Sequence, residues 1–278
     1  MNPIQLNKYV RLHDGERIFY TKHEYFHNTC DIIKKLKYNV VLIIGGSDRC
    51  VYDHHLNVLP KNVKKFFVQN CLISKDKWGN LVHPIPRGIE VSEEIRHSDY
   101  AWCGAEKEGE EKVNILSNPP IKTPTKFIYS NFRVNTNFNH RKLLKEYSIK
   151  CPFVTWQEPY GASDRERYES GVSYNLFVDD ILDHEAVLCA QGNDDGGNLR
   201  IYETLYLSRT PITFNPKMYE TTHHMFPVVL IRDLKSLIDY DFLKKSVSEA
   251  KSKESESSKY LNFDYWKDMI LDSRDNLT

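Results

Sequence analysis

Residues Tyr38-Asn39-Val40-Val41-Leu42-Ile43-Ile44 form a nearly unbroken apolar run that stops at Gly45-Gly46-Ser47-Asp48. A short apolar run bounded by glycines reads as a strand buried on both faces. Such strands belong to parallel sheets covered by helices on each side. The same pattern recurs at 63–68 (VKKFFV), 126–129 (KFIY), 152–156 (PFVTW), 186–190 (AVLCA), 210–214 (TPITF) and 227–231 (PVVLI). Between these runs, 139–147 and 198–207 show helical spacing, with Leu199, Tyr202, Leu205 and Tyr206 on one helix face. Strands alternating with helices predict an α/β fold built on parallel layers.

The alternation breaks once. Residues 99–126 hold the charged stretch AEKEGEEK and then SNPPIKTP, which reads as a loop and an inter-domain linker. The expected division is a first domain over 1–122 and a second over 123–250. Residues 246–259 (SVSEAKSKESESSK) are poor in apolar side chains and read as a solvated helix or connector. After them, Phe263, Trp266 and Ile270 fall at helical spacing, so the last segment, 260–278, is an amphipathic helix that needs a surface to cover. It is grouped with the first domain.

Charge and cysteine usage narrow the function classes. The 38 Lys and Arg balance the 38 Asp and Glu, which argues against a nucleic-acid partner held by bulk attraction to phosphate. A local basic pocket for a small anion remains open. No stretch approaches the roughly 18 consecutive apolar residues of a membrane span. The N-terminal residues lack the apolar core of a signal peptide. None of the six cysteines has C-x-x-C spacing, and Cys50, Cys71, Cys151 and Cys189 lie in or beside apolar runs. The expectation is buried thiols in a reducing, cytoplasmic compartment.

Four constellations can carry chemistry. The first is the strand–loop–helix passage from Leu188 through Gly192, Asn193, Asp194, Asp195 and Asn198 to Arg200 and Glu203. Loop glycines let backbone N–H groups approach an anion, and the helix N-terminus adds partial positive charge. Arg200 in the first turn can fork onto a diphosphate, and Glu203 on the same face can accept from ribose hydroxyls. A plain surface Arg–Glu pair gives the same spacing. The second is Ser47-Asp48 through Asp53-His54-His55, at the carboxyl end of the first strong strand. A carboxylate or imidazole there can take a proton from a hydroxyl nucleophile, and equally a helix cap explains it. Adjacent histidines point apart, so neither His54-His55 nor His223-His224 argues for a metal.

The third is Gln69-Asn70, followed by the fixed loop Pro84-Ile85-Pro86-Arg87-Gly88, suited to a cleft wall or to a connector. The fourth is Asn131-Phe132-Arg133 with Arg141. Trp156 and Tyr160 beside it can stack on a base or simply pack. Asp179-Asp180 and Asp194-Asp195 imitate a cation-holding acidic pair, but the first sits in a helical stretch and the second inside a glycine loop. No divalent metal is expected.

These elements occur in the order found in the exostosin-like glycosyltransferases, which the chain resembles. The resemblance is carried by Cys189-x-x-Gly192-Asn193, Arg200-x-x-Glu203-x-Leu205 and Pro211-Ile212, by Ile128-Tyr129-Ser130-Asn131-Phe132 with Arg141, and by Gly45-Gly46-Ser47-Asp48, Phe67-Val68-Gln69-Asn70 and Ile85-Pro86-Arg87-Gly88-Ile89. The last strings are similar to short stand-alone members, some from large algal viruses. Together they span about residues 38–232. Ala190-Gln191 and Ser208-Arg209 depart from the family pattern, the latter where a glycine is usual.

The resemblance implies two Rossmann-like domains facing across a cleft (GT-B type), with the C-terminal helix crossing back to the N-terminal domain. It implies an inverting, metal-independent transferase with no cofactor, moving a sugar from a UDP-sugar donor to a hydroxyl of a glycan or glycoprotein acceptor. UDP-xylose is the first donor to consider. Asp48 is the expected base, with His54, His55 and Asp53 as fallbacks. Asn131, Arg133, Gly192, Asn193, Asp194, Asp195, Asn198, Arg200 and Glu203 are the expected donor-binding residues. With no divalent ion, Arg200 and the helix dipole must hold the leaving diphosphate. The rivals are a non-catalytic nucleotide-sugar or carbohydrate-binding module and a dinucleotide enzyme, the latter disfavoured because no G-x-G-x-x-G follows an early strand.

Overall fold

The computed structural model describes residues 2–5, 8–89, 112–159, 174–192, 196 and 198–277. Strands β1 (Ile18–Thr21), β2 (Val40–Ile44), β3 (Val63–Val68) and β4 (Val82–Pro84), with helix α1 (Phe26–Ile33), make the first unit. Its sheet is wholly parallel in the order β1-β2-β3-β4. Strand β2 is central, and its alternate residues serve opposite faces as the pleat requires. Val40, Leu42 and Ile44 pack with Phe26, Cys30 and Ile33 of α1. Val41 and Ile43 pack on the other face with Phe67, Phe263, Trp266 and Ile270. All five β2 residues are buried, as expected for the run that ends at Gly45.

The second unit holds β5 (Lys126–Ser130), α2 (Phe138–Lys150), β6 (Val154–Trp156), α3 (Tyr174–Leu182), β7 (His184–Cys189), α4 (Leu199–Tyr206), β8 (Thr210–Thr213), α5 (Pro216–Thr221) and β9 (Val229–Leu230). Its five strands are parallel in the order β6-β5-β7-β8-β9. One face packs Tyr129, Val187 and Cys189 against α3 and α4. The other packs Ile128, Ala186, Leu188 and Ile212 against Leu144 of α2 and against Leu243 and Val247 of α6 (Tyr240–Lys251). After α6 come the single turn α7 (Glu254–Ser257) and helix α8 (Phe263–Asp275). The Phe263, Trp266 and Ile270 stripe of α8 covers the first sheet, not the second. The chain is thus a two-unit α/β molecule of GT-B type, its last helix crossing back onto the first unit.

Three expectations need correction in part. The linker reading of 99–126 holds only for part of its described residues: 119–125 have no regular structure, whereas 112–117 are helical and bury Lys112 and Leu116. Of the two readings of 246–259 the solvated helix is found and the connector is not: α6 runs on to Lys251 with most residues of this stretch exposed, while Val247, Ala250 and Ser257 are buried. Helix α4 is not amphipathic in the simple sense, since every residue from Ile201 to Tyr206 is buried. It lies between the sheet and the first unit, and its polar side chains are buried with partners.

Short strands β1 and β4 were not anticipated, since three or four residues give too little periodicity to register. Among the described residues Cys30, Cys50, Cys71, Cys151 and Cys189 are buried free thiols, and no helix is long and apolar enough to cross a membrane.

Candidate functional site

Strand order places the site. In the second sheet the chain starts at β5, moves outward to β6, and then returns to the other side of β5 as β7. The loops leaving β5 and β7 therefore part in opposite directions, and they leave a crevice at the carboxyl ends of these two strands, where open parallel sheets bind ligands. Asn131 and Arg133 follow β5, and Gly192 through Arg200 follow β7. The sequence-predicted donor residues that are described all flank this one crevice.

Arg141 of α2 ties the crevice together. It donates from Nε to the Gln191 carbonyl at 2.7 Å and from Nη1 to the Arg133 carbonyl at 2.8 Å, joining the two loops. Burial, and next the neighbouring Arg200 guanidinium, push its pKa down to about 10. Two cations therefore lie close together, with no carboxylate joining them among the described residues, an arrangement that an anion relieves.

Asn198 caps α4, as its position before the helix predicts. Its Oδ1 accepts from the Arg200 N–H at 2.9 Å, and its Nδ2 donates to the Ala190 carbonyl. The side chain is thus committed to holding the loop. The Arg200 guanidinium lies 3.9 Å from the Phe177 ring centroid, and its Nε is 3.0 Å from Glu203 Oε2. That approach lacks hydrogen-bond alignment, so Nε and Nη1 make charge contact without a hydrogen bond. Glu203 is only 4% exposed, and its other oxygen is 3.0 Å from Lys112 Nζ. A buried carboxylate is thereby held between two cations.

The first unit meets this crevice through its own carboxyl edge. Gly46 N–H donates to Gln69 Oε1 at 2.9 Å, and Asn70 Nδ2 donates to the Ser47 carbonyl at 3.0 Å. These bonds fix the turn that presents Asp48. The Asp48 carboxylate is 61% exposed and pairs with Arg87 Nη2. The Arg87 backbone N–H donates to the Tyr202 hydroxyl at 3.2 Å, so the Pro-Ile-Pro-Arg-Gly loop reaches α4. Gly196 closes the contact: a Cβ there would lie 3.0 Å from the Asp48 carbonyl oxygen and 3.1 Å from Asn70 Nδ2. Even a methyl group there would press the loop after β7 against the turn after β2 and require a neighbour to give by a few tenths of an ångström.

The fallback bases are placed elsewhere. Asp53 accepts from Ser74 N–H at 2.8 Å, from Ser74 Oγ at 2.9 Å and from Lys77 Nζ at 2.7 Å. The Lys77 and Ser74 bonds hold its carboxyl down at about 2. It staples two loops and is a poor proton acceptor. His55 is buried, bonded through Nδ1 to the Tyr52 backbone and through Nε2 to His23 Nε2 at 3.0 Å. Burial pushes it down to about 4. His54 is exposed beside it, ring to ring at 4.1 Å.

Trp156 is packed at its edge by Phe132 and over its face by Lys145, so its ring is already engaged. Asp180, half of the false acidic pair, accepts from the Tyr129 hydroxyl at 3.2 Å. Asn131 makes only a 3.5 Å bond to the Glu158 carbonyl. Asn193, Asp194, Asp195 and Tyr160 lie outside the described residues. Among the described residues no three His, Cys, Asp or Glu side chains gather as a metal-holding group.

Lys112 was missed by sequence reasoning. It stands in a charged run where each lysine resembles the next, and only the tertiary partner Glu203 marks it out. Arg87 was read as a cleft wall, and the structure adds its tie to Asp48.

What fold and crevice define is an α/β molecule of GT-B type with a cationic crevice at a topological switch point. No protein-family model matches the chain, and no curated protein matches it at a significant level.

Proposed function

We propose that the chain is a nucleotide-sugar-dependent glycosyltransferase similar to the exostosin-like enzymes, inverting and independent of a divalent metal. The observation that carries the reading is the approach of Arg200 to Arg141 at the β5/β7 switch point, where two neighbouring guanidinium groups suit a diphosphate. The donor lies in this crevice, and the acceptor hydroxyl lies against the turn at Asp48. In a single displacement Asp48 takes the hydroxyl proton while the oxygen attacks the anomeric carbon. The bond to the diphosphate breaks on the opposite face, and the leaving charge is met by Arg200, Arg141 and the N–H groups that open α4. Arg133 and Asn131 line the crevice wall. The donor is a UDP-sugar, UDP-xylose being the first to test, and the acceptor is a glycan hydroxyl.

A panel of UDP-sugars with released UDP as readout tests the reading. Arg200→Ala should weaken UDP binding at least tenfold, about 1.4 kcal/mol, and slow transfer. Unchanged UDP affinity in that variant would remove the phosphate assignment. A second reading, a binding module without transfer, is favoured by the engagement of Asp48 with Arg87 and of Asp53 with Lys77. UDP binding accompanied by neither transfer nor hydrolysis for any donor would select it.

A further inference from the structure

We propose that the molecule carries a second ligand site, behind α4 and away from the crevice, that takes a small aromatic carboxylate. The inference does not rest on the proposed transferase activity. A cavity of about 150 Å³ lies between the C-terminal end of α4, the start of β8 and the crossover that leads to α8. It sits at the amino edge of the second sheet, whereas the crevice sits at the carboxyl edge.

Two chemistries line it. Leu205, Tyr206, Pro227 and Leu261 form an apolar wall, and Arg209 and Lys251 form a cationic end. Cavities near ~150 Å³ with apolar walls hold a benzene ring, so the size admits one ring and excludes a nucleotide.

The cationic end is fixed. Arg209 Nη2 donates to the Lys122 and Leu182 carbonyls at 2.6 and 2.8 Å, and Nη1 donates to the Ser208 carbonyl at 3.1 Å. With a longer bond from Nη1 to the Leu207 carbonyl at 3.4 Å, four backbone-directed contacts hold the guanidinium plane, yet none of the acceptors is charged. Its Nε is buried without a hydrogen-bond partner, which is costly unless something accepts from it. Lys251, in the last turn of α6, makes no ion pair or hydrogen bond with any described residue. Glu254 is the one acid on the wall, so the pocket keeps a single positive charge.

One carboxylate balances that charge and supplies two acceptor oxygens, one for Arg209 Nε and one for Lys251 Nζ. The ring attached to it lies against Leu205 and Tyr206. Such a ligand also braces the crossover, because the Tyr206 hydroxyl donates to the Leu261 carbonyl at 2.7 Å and accepts from the Ile4 N–H at 2.8 Å.

The test is a titration of the full chain with sodium benzoate, benzyl alcohol and inorganic phosphate, followed by backbone amide NMR shifts. Benzoate should saturate one site with a Kd on the order of 1 mM, reasonable for so small a ligand, and move the amides of Leu205, Tyr206 and Arg209. Benzyl alcohol should bind more weakly, and phosphate should leave those amides still. Lys251→Ala, an exposed change that removes no described contact, should weaken benzoate about fivefold, the scale of one partly solvated ion pair. Ser258→Trp, at the exposed rim, should abolish binding while the unfolding midpoint is unchanged.

Shifts that never saturate, or benzoate affinity equal in wild type and Lys251→Ala, would overturn the proposal. So would phosphate or benzyl alcohol matching benzoate. UDP titrated into the same variants keeps the two sites apart: failure of UDP to bind bears on the transferase reading alone.

Discussion

The two carboxyl edges that meet at Gly196 are built on opposite principles. On the first sheet, strand order follows chain order, and the edge loops satisfy one another. Gln69 holds Gly46, Asn70 holds Ser47, Ser47 holds Glu24, and Asp53 holds Ser74 and Lys77. On the second sheet the order reverses at β5, and the edge brings Arg141 beside Arg200, with Arg200 and Lys112 sharing Glu203, the one buried acid among the described residues. Among the described residues one edge is a platform of mutually bonded polar groups and the other gathers cations. Polar residues at strand ends are therefore not equivalent signals. What separates a scaffold from a binding edge is whether the described partners already close the charge balance.

The largest test of this contrast is Glu203→Gln. It removes the buried carboxylate that Lys112 and Arg200 share, and stability should fall by about 3 kcal/mol, read by urea denaturation. Asp53→Ala on the other edge should cost far less, since that carboxylate is solvated. Comparable losses from the two variants would end the distinction.

Acid sharpens it next. Burial holds fully buried His223 down at about 3, with His224 adding to the effect. The unfolded chain binds that proton near pH 6.5, so the native state is favoured above that pH and loses the advantage as pH falls through 6.5 toward 3. At pH 5 the loss is roughly 2 kcal/mol. His223→Phe should flatten the fall in unfolding midpoint between pH 7 and 5. His55 in the first unit has ring partners and a smaller depression, to about 4, so its replacement should flatten the curve about as much between pH 7 and 5 and less below pH 4.

Gly196→Ala should cost about 1 kcal/mol by pressing a methyl group onto the Asp48 carbonyl, and it should reduce transfer more than it reduces UDP affinity. Wild-type transfer in that variant would show that the contact between edges is incidental. The smallest effect is expected at Ser208, which holds φ 52 after α4, the left-handed region that glycine enters without penalty. Ser208→Gly should raise stability by about 0.5–1 kcal/mol, seen as a higher melting temperature.

Much of the fold was legible because buried parallel strands announce themselves. The run ending at Gly45 and the 63–68 run met their strands within two residues. Short β1 and β4 carry too few residues to show a period, and their place comes from pairing with β2 and β3. The Phe263, Trp266 and Ile270 stripe announced a helix, and the resemblance supplied the sheet it covers. At the candidate site, the places of Asn131 after a strand and of Arg200 in the first turn of a helix could be read from the sequence. Lys112 could not, because a lysine in a charged run is marked only by the distant carboxylate it reaches. The base candidates show the same limit. Asp48, Asp53 and His55 look alike in sequence, and only their separate partners, Arg87, Ser74 with Lys77, and His23, tell them apart.

Helix α4 starts at the cationic crevice and finishes at the rear cavity, and on the way its two tyrosine hydroxyls are hydrogen-bonded to the backbone of Arg87 and Ile4. A swing of one half about the other must strip both amides from buried phenols that have no solvent to replace them. Relative motion of the two halves is thereby opposed through α4 by two buried hydrogen bonds at once.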